Sequence, residues 1–230
     1  MDLTIRNLWS IEIGNFQMYI TESLRNLWII SGALILIAIF VRIKLKRFKQ
    51  IPTGFQALLE SIITIFEKYV RSFVGDRLAF LAYWFFTVFA FILISNISGL
   101  FFMRPPTADW SINISIAVVT LVLIHFCAIK TNAREHFRSL LRPVFLFLPI
   151  NLIGEVSRPI SLSFRLYGNI FSGLILTSLI YSMIPWFLMF GPPLIIHAYF
   201  DLFAGALQTF IFCTISLVLI GVFASNDETA

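Results

Sequence analysis

Long apolar runs are the feature that most constrains how this chain can fold. A membrane-spanning helix needs roughly 17 to 25 predominantly apolar residues, and the chain contains five runs that reach this length. With 59% apolar and 13% charged residues, the sequence is too hydrophobic for a soluble domain. We therefore predict an all-α integral membrane protein with five transmembrane helices. The runs lie at about 24–41, 78–103, 110–129, 143–184 and 193–224.

A further segment, at about 53–75, is amphipathic rather than uniformly apolar. It carries Glu60, Glu67, Lys68 and Arg71 among bulky apolar side chains. This pattern is typical of a helix that lies in the membrane interface with its charged face in water. We predict one helix on the cytoplasmic surface. The alternative is a short sixth span whose charged ends reach back to the interface.

Basic residues set the predicted orientation in the membrane. They concentrate in the links that follow the first and third spans, and loops rich in lysine and arginine stay on the cytoplasmic side. The N-terminus is therefore predicted outside and the C-terminus in the cytoplasm. The basic residues are Arg42, Lys44, Lys46, Arg47 and Lys49 in the first link and Lys130, Arg134, Arg138 and Arg142 in the second.

The spans are predicted to form one membrane domain over residues 1–230. The last two spans form a helix pair that carries most of the polar residues expected at membrane depth. Along the sequence, the domain divides into an outer N-terminal segment at 1–23, a first span with the surface helix at 24–75, a helical hairpin at 78–142, the helix pair at 143–224 and a cytoplasmic tail at 225–230.

One arginine, Arg165, lies deep in the fourth predicted span. A guanidinium group keeps its charge in proteins, and a charged side chain at the bilayer centre costs roughly 2.5 to 17 kcal/mol, depending on the reference system. An apolar residue would pack there at much lower cost. Arg165 therefore indicates a functional site that faces a partner or a wet cavity.

Helical spacing places the other polar residues of the last two spans in stripes. Arg165 and Asn169 share one face of the fourth span, and Asp201 and Gln208 share one face of the fifth. Gln208 lies about 10 Å from Asp201 along the helix axis, close to the predicted depth of Arg165. Because polar groups in hydrocarbon need partners, the stripes should meet each other, another subunit or water-filled clefts. The alternative for Asn169 and Gln208 is interhelical hydrogen bonding that only holds the helices together.

Several chemistries have no signal in the sequence. Cys127 and Cys213 stand alone in apolar stretches, which favours core residues over metal or redox sites. The chain has no Gly-rich phosphate loop, so we predict no nucleotide site. We also predict no catalytic residue, no cofactor and no metal ion. The basic clusters record membrane topology, and no nucleic-acid partner is predicted.

Two other function classes remain as alternatives. A self-contained secondary transporter would line a substrate site with the same polar stripes, but such folds contain internal repeats, and the two halves of this chain do not correspond. An intramembrane enzyme needs a convergent nucleophile, an acid–base set or a metal cluster, and the sequence shows none of these.

Five sequence blocks together carry a resemblance to a known family. They are Gly54–Glu60 (GFQALLE), Pro106–Asp109 (PTAD), Pro149–Glu155 (PINLIGE), Arg158–Asn169 (RPISLSFRLYGN) and Gly205–Phe212 (GALQTFIF). This set resembles subunit a of the F-type ATP synthases, over about residues 50 to 224. The block around Arg165 is the most specific of the five.

The resemblance implies the stator half of a rotary motor. Two long, tilted helices would lie against a ring of c subunits, whose carboxylates carry H+ or Na+. Arg165 matches the essential arginine of the family. Asn169 and Gln208 match positions that line the access path, and Glu155 matches an acidic position near the cytoplasmic exit. Ser161 is expected to be reached from the cytoplasm as well.

The sequence departs from the family pattern in the outer path. Leu174 stands where many members have a glutamate or a histidine, and Asp201 stands where others have a histidine or a glutamate. The acidic residue of the outer path is therefore expected on the fifth span, at Asp201, and not on the fourth. His197, one turn before Asp201, is a candidate for relaying protons with it; the alternative is a hydrogen-bonded interfacial histidine without that role.

The resemblance also implies partners and a location. The partners are the c-ring, the b subunits of the peripheral stalk, membrane lipids and, indirectly, the catalytic head, while the chain itself is expected to translocate ions without catalysing a reaction. The expected location is the inner (plasma) membrane of a bacterium. A Na+-translocating variant of the same complex is the alternative to a proton path.

Overall fold

A computed structural model gives the architecture of the chain. It describes residues 7–13, 16–45, 52, 54–101, 103–141, 145–183, 191, 195–196 and 198–225. Nearly all of them belong to helices, in the order α1 (Glu22–Leu45), α2 (Phe55–Val74), α3 (Leu81–Ile97), α4 (Trp110–Leu141), α5 (Leu148–Met183) and α6 (Gly205–Ser225). A π-helical turn, Ala198–Ala204, leads directly into α6.

Five helical stretches among the described residues are long and apolar enough to cross a membrane, which confirms the predicted all-α integral membrane fold. The amphipathic helix α2 is not one of them. The link after the third predicted span is shorter than expected, because α4 continues to Leu141 through the basic residues. The five stretches are Glu22–Leu45, Leu81–Phe101, Trp110–Thr131, Leu148–Met183 and Ala198–Val222.

The N-terminal segment contains a β-hairpin that the sequence does not predict. Strands β1 (Asn7–Ile13) and β2 (Phe16–Thr21) pair antiparallel, with Ile11 opposite Met18. The two strands are short and α1 follows β2 without a break. Local pairing of this kind leaves only a weak pattern in the sequence, so the segment 1–23 is predicted simply as an outer segment.

The chain divides into two compact units, each built from separate stretches of sequence. Unit 1 comprises residues 1–36, 90–113 and 163–210, and unit 2 comprises residues 37–89, 114–162 and 211–230. Both units draw on several helices. The two units group residues by proximity in space and not by order in the sequence. The five segments predicted along the sequence therefore stay a prediction.

Unit 1 is held together by buried amides as well as by apolar side chains. Leu166 and Ile170 of α5 are fully buried. Near the start of α1, the Asn26 side chain donates a hydrogen bond to the backbone carbonyl of Arg104, at 2.9 Å, and accepts two from Arg25. These bonds fix the start of α1 to the link between α3 and α4.

Unit 2 packs α2 against α3 and α6. Phe66 of α2 makes edge-to-face contacts with Phe86 and Phe89 of α3. The Tyr69 hydroxyl forms a 2.6 Å hydrogen bond with the Thr214 hydroxyl of α6, and burial raises the pKa of Tyr69. The phenol therefore stays protonated as a hydrogen-bonding group. The helix predicted to lie on the surface thus makes specific contacts within this unit.

A glycine sets how closely α2 approaches α6. A Cβ atom added at Gly221 would overlap the backbone oxygen of Phe73. Backbone atoms cannot move aside as a flexible side chain can, so any larger residue at this position separates the two helices or strains them. The close approach also brings Tyr69 within reach of Thr214.

We expect Gly221→Val to destabilise the protein, since overpacking a tight contact typically costs about 1–3 kcal/mol. The check is the thermal unfolding midpoint of the detergent-solubilised complex. Gly32→Val is the matched control, because a Cβ at Gly32 meets no atom within 4 Å. Equal midpoints for the two variants would contradict the close packing of α2 on α6.

Candidate functional site

Arg165 lies on the exposed face of α5 in unit 1. The opposite face of the helix is buried, with Leu166 and Ile170 almost inaccessible to solvent. Arg165 makes no hydrogen bond or ion pair with another residue that the structure describes. A fixed positive charge therefore stands on the outer surface of a helix that is apolar enough to span a membrane.

Asn169 and Gln208 meet across α5 and α6. The Asn169 side-chain amide donates a hydrogen bond to the Gln208 side-chain oxygen, at 3.2 Å. Gln208 is 2% exposed, and its side-chain nitrogen has no hydrogen-bond acceptor among the described residues. The structure thus brings these two predicted site residues together, one turn after Arg165 on α5.

Asp201 lies in the π-helical turn before α6 and is 6% exposed. Its carboxylate packs directly against the Cα of Gly99, in the 3-10 turn that extends α3 over Ser98–Phe101. A Cβ atom at Gly99 would lie 2.6 Å from the Asp201 oxygen Oδ2. Only glycine leaves room for the carboxylate in this position.

The predicted stripe of Asp201, Gly205 and Gln208 is divided between two neighbours. Gly205 packs against Asn96 of α3, with a Cβ at Gly205 only 2.9 Å from the Asn96 Cβ. Asp201 and Gly205 therefore face α3 and its extension, whereas Gln208 faces α5. Backbone bonds in a π-helix run to the fifth residue rather than the fourth, so the turn does not preserve α-helical faces. Of the three expected ways to satisfy the stripes, a direct contact between the two helices is observed, among the described residues, for Asn169 and Gln208.

A buried network of polar groups surrounds the start of α6. Asn96 donates to the Gly205 carbonyl, at 3.1 Å, and accepts a hydrogen bond from the Thr107 hydroxyl, at 2.8 Å. Asn113 donates to the Thr107 carbonyl, at 2.7 Å. Asn96, Thr107 and Asn113 are all fully buried. Sequence reasoning missed Asn96, although an asparagine near the end of an apolar span is a recognisable signal.

A second polar cluster lies in unit 2, at Glu155 of α5. Arg158 donates from one nitrogen, Nη1, to both carboxylate oxygens of Glu155, at 2.8 Å each. Nε2 of His125, on α4, lies 4.0 Å from the oxygen Oε2 of Glu155. The Glu155 side chain is only 11% exposed. Sequence reasoning missed the place of His125 in this cluster, because no motif joins α4 to α5.

The structure places the remaining predicted residues without showing a contact that indicates a role. Ser161 is exposed on α5, and Leu174 is half-buried on the same helix. His197 lies outside the described residues, so its proposed relay with Asp201 stays a prediction. Within the described part of the chain, no group of three or more histidine, cysteine, aspartate or glutamate side chains is arranged to hold a metal ion.

The fold and these clusters define a class: a helical membrane protein with charged and amide side chains placed inside its apolar helices. Such residues mark paths for ions or solutes. Residues 26–221 match the family described as ATP synthase A chain, and the chain belongs to that family. As a member, it is the ion-translocating subunit in the stator of an ATP synthase.

Similar proteins from several bacteria carry the same description. ATP synthase subunit a, sodium ion specific, of Propionigenium modestum is 30% identical over 224 residues, which cover 90% of this chain and 75% of that protein. ATP synthase subunit a of Legionella pneumophila (strain Corby) is 32% identical over 214 residues, covering 92% and 89%. The Mycobacterium bovis subunit is 35% identical over 206 residues, covering 82% and 81%.

The contact between Gly99 and Asp201 generates a prediction about transport. Gly99→Ala should displace the Asp201 carboxylate and slow ion transport by about tenfold or more, since misplacing a functional group by about 1 Å can cost about 100-fold. The measurement is ATP-driven ion uptake into membrane vesicles, normalised to assembled complex. Gly32→Ala, whose added methyl group meets open space, is the control. Transport at the parental rate in Gly99→Ala would show that the position of Asp201 is unimportant.

Proposed function

We propose that Arg165 is the residue through which this stator subunit acts on a rotating ring of c subunits, coupling the passage of H+ or Na+ to ATP synthesis or hydrolysis. The observation that carries the proposal is the exposed guanidinium on an apolar helix of unit 1. A charge in that place needs an anionic or polar partner. A ring whose subunits each present a carboxylate supplies one, and renews it with every step of rotation.

The electrostatics of this arrangement explain how the arginine would act. A fixed cation near a carboxylate favours the ionised form. A ring carboxylate that arrives opposite Arg165 therefore releases its proton or bound cation. The same positive charge repels free cations, so it prevents a direct leak between two half-channels that end on either side of it. Lysine would keep the charge, but it is more strongly hydrated and lacks the planar fork of donors.

The polar residues of unit 1 fit an outer half-channel. Asp201 supplies a buried carboxylate, and Gln208 supplies a buried amide nitrogen that can still donate a hydrogen bond. Asn169 connects Gln208 to the helix that carries Arg165. Because Leu174 cannot bind an ion, the acidic function of this path is assigned to Asp201. His197 is assigned to the same path because it precedes Asp201 by about one helical turn.

The cluster of unit 2 fits a cytoplasmic half-channel. Glu155 provides a carboxylate whose side chain is largely shielded from solvent, and Arg158 balances its charge. Ser161 provides an exposed hydroxyl on the same helix. Pro159 lacks a backbone N–H, so the Glu155 carbonyl loses its usual helical partner and becomes a further oxygen acceptor.

The partners and location follow from this role. The c-ring contacts α5 and α6, the b subunits of the peripheral stalk hold the chain against rotation, and the catalytic head is reached only through other subunits. The location is the inner membrane of a bacterium, with the N-terminus outside and the C-terminus in the cytoplasm. The two basic links support this orientation. A self-contained secondary transporter is not favoured, since the chain belongs to a family of ATP synthase subunits.

Replacing Arg165 tests the proposal. We expect Arg165→Ala to reduce ATP-driven ion pumping and ion-driven ATP synthesis to background in a complex that still assembles, and Arg165→Lys to transport poorly. Arg138→Ala is the control, because Arg138 is an exposed cation near the end of α4. Pumping is measured in inverted vesicles, with the amount of assembled complex determined in parallel. Near-parental coupled transport by Arg165→Ala would refute the assignment.

A further inference from the structure

The N-terminal β-hairpin has one face that is apolar throughout. Its strands pair so that Trp9 stands opposite Ile20 and Ile13 stands opposite Phe16. Successive residues of a strand lie on opposite faces of the ladder, and residues that stand opposite each other share a face. The register therefore places on one face a set of positions that all carry apolar residues. They are Trp9, Ile11, Ile13, Phe16, Met18 and Ile20.

The other face of the hairpin is mostly polar. Its cross-strand pairs are Ser10 with Tyr19 and Glu12 with Gln17. An antiparallel sheet with this alternation commonly packs its apolar face on a core and leaves its polar face in water. A two-stranded hairpin on its own is marginally stable in water. The apolar face of this hairpin therefore needs a cover.

The rest of the described chain does not provide that cover at Trp9. The Trp9 side chain is 75% exposed, although tryptophan is on average one of the more strongly buried residues. Tyr19, on the other face, is also exposed. An open tryptophan among apolar positions marks a surface that contacts another molecule. The cover of this face is therefore sought outside the described part of the chain.

The connection to α1 brings this face to the membrane surface. Strand β2 ends at Thr21, and α1, which is long and apolar enough to cross a membrane, begins at Glu22. The Thr21 hydroxyl accepts a hydrogen bond from the backbone N–H of Leu24, at 3.3 Å, which ties the hairpin to the first turn of the helix. Ile20 lies at most about 7 Å from Glu22 along the chain, and its partner Trp9 lies about 5 Å further away. Trp9 is thus within about 12 Å of the start of the spanning helix.

An uncovered apolar surface also begins near the start of α1. One side of the helix is held by the chain, since Asn26 is fully buried and donates to the Arg104 carbonyl. Trp28 and Ile29 are exposed. Trp28 lies about 9 Å from Glu22 along the helix axis. The exposed apolar surface of a spanning helix and the apolar face of the hairpin therefore lie at the same end of α1.

We propose that the hairpin is a membrane-surface anchor, which lies flat on the phospholipid bilayer at the N-terminal end of α1 with its apolar face in the lipid. Tryptophan and tyrosine are enriched at this level of a membrane. The unpaired edges of a two-stranded ladder cannot enter the hydrocarbon, so the backbone stays among the headgroups and only side chains reach below them. The anchor fixes the depth of α1, in which only Ser23, Asn26 and Ile30 are buried by the chain. It is independent of the function proposed for Arg165.

Spin labelling tests what surrounds each face of the hairpin. The whole complex, without Cys127 and Cys213, is reconstituted into liposomes of phosphatidylcholine and phosphatidylglycerol with a nitroxide on a single introduced cysteine. Trp9→Cys reports on the apolar face, and Ser10→Cys, at the next residue, is the matched control on the polar face. Collisions with O2, which concentrates in lipid, and with a water-soluble nickel chelate give the depth of each label. We expect the label at position 9 about 5–10 Å below the lipid phosphates, as for interfacial amphipathic helices, and the label at position 10 in water.

Met18→Cys and Gln17→Cys repeat the comparison on β2, so the test stands even if the loss of Trp9 weakens the hairpin. Three results would overturn the proposal. If both labels of a pair collide equally often with the nickel chelate, the apolar face lies in water. If the labels at positions 9 and 18 are shielded from both O2 and the chelate, another protein covers the face. If both labels of a pair lie at the same depth in lipid, the strand register does not orient the hairpin on the membrane.

Discussion

A fixed positive charge on the exposed face of an apolar helix is the constraint on which the proposed function of this chain depends. A guanidinium group keeps its charge in proteins, and unit 1 offers Arg165 no ion pair among the residues described. The helix beneath it is anchored by apolar packing at Leu166 and Ile170. Packing therefore fixes the position of the charge, while in the proposed function the partner of the charge comes from another chain. This division of roles suits a stator, which must stay still while its partner moves past.

The polar residues of unit 1 near the start of α6 are held by contacts that glycines permit. Gly99 leaves space for the Asp201 carboxylate, and Gly205 allows Asn96 to reach the backbone at the start of α6. Buried polar groups without partners are costly, so the network of Asn96 and Thr107 stabilises this irregular backbone. The π-helical turn can then present Asp201 to α3 and Gln208 to α5. A regular α-helix would place both side chains on one face.

The sequence predicts the spanning helices well, because long apolar runs are a strong and local signal. It also predicts that Gln208 lies close to the depth of Arg165, since helix direction and rise per residue determine depth. It does not predict the contact of Asp201 with Gly99 or that of His125 with Glu155. Each joins helices that are distant in the sequence, and the π-helical turn changes the face that a residue occupies. The N-terminal hairpin is missed for another reason. Two short strands leave the same mixture of polar and apolar residues in the sequence as an irregular segment does.

Disulfide cross-linking to the ring subunit tests the central claim most directly. Ser172 lies two turns after Arg165 on the same face of α5 and is exposed, whereas Ile170 is buried. In a background without Cys127 and Cys213, a cysteine at Ser172 should form a disulfide, on mild oxidation, with a cysteine placed one turn from the ring carboxylate. A cysteine at Ile170 should form none. Absence of cross-links from Ser172→Cys in an assembled complex, or equal yields from both positions, would contradict a rotor facing Arg165.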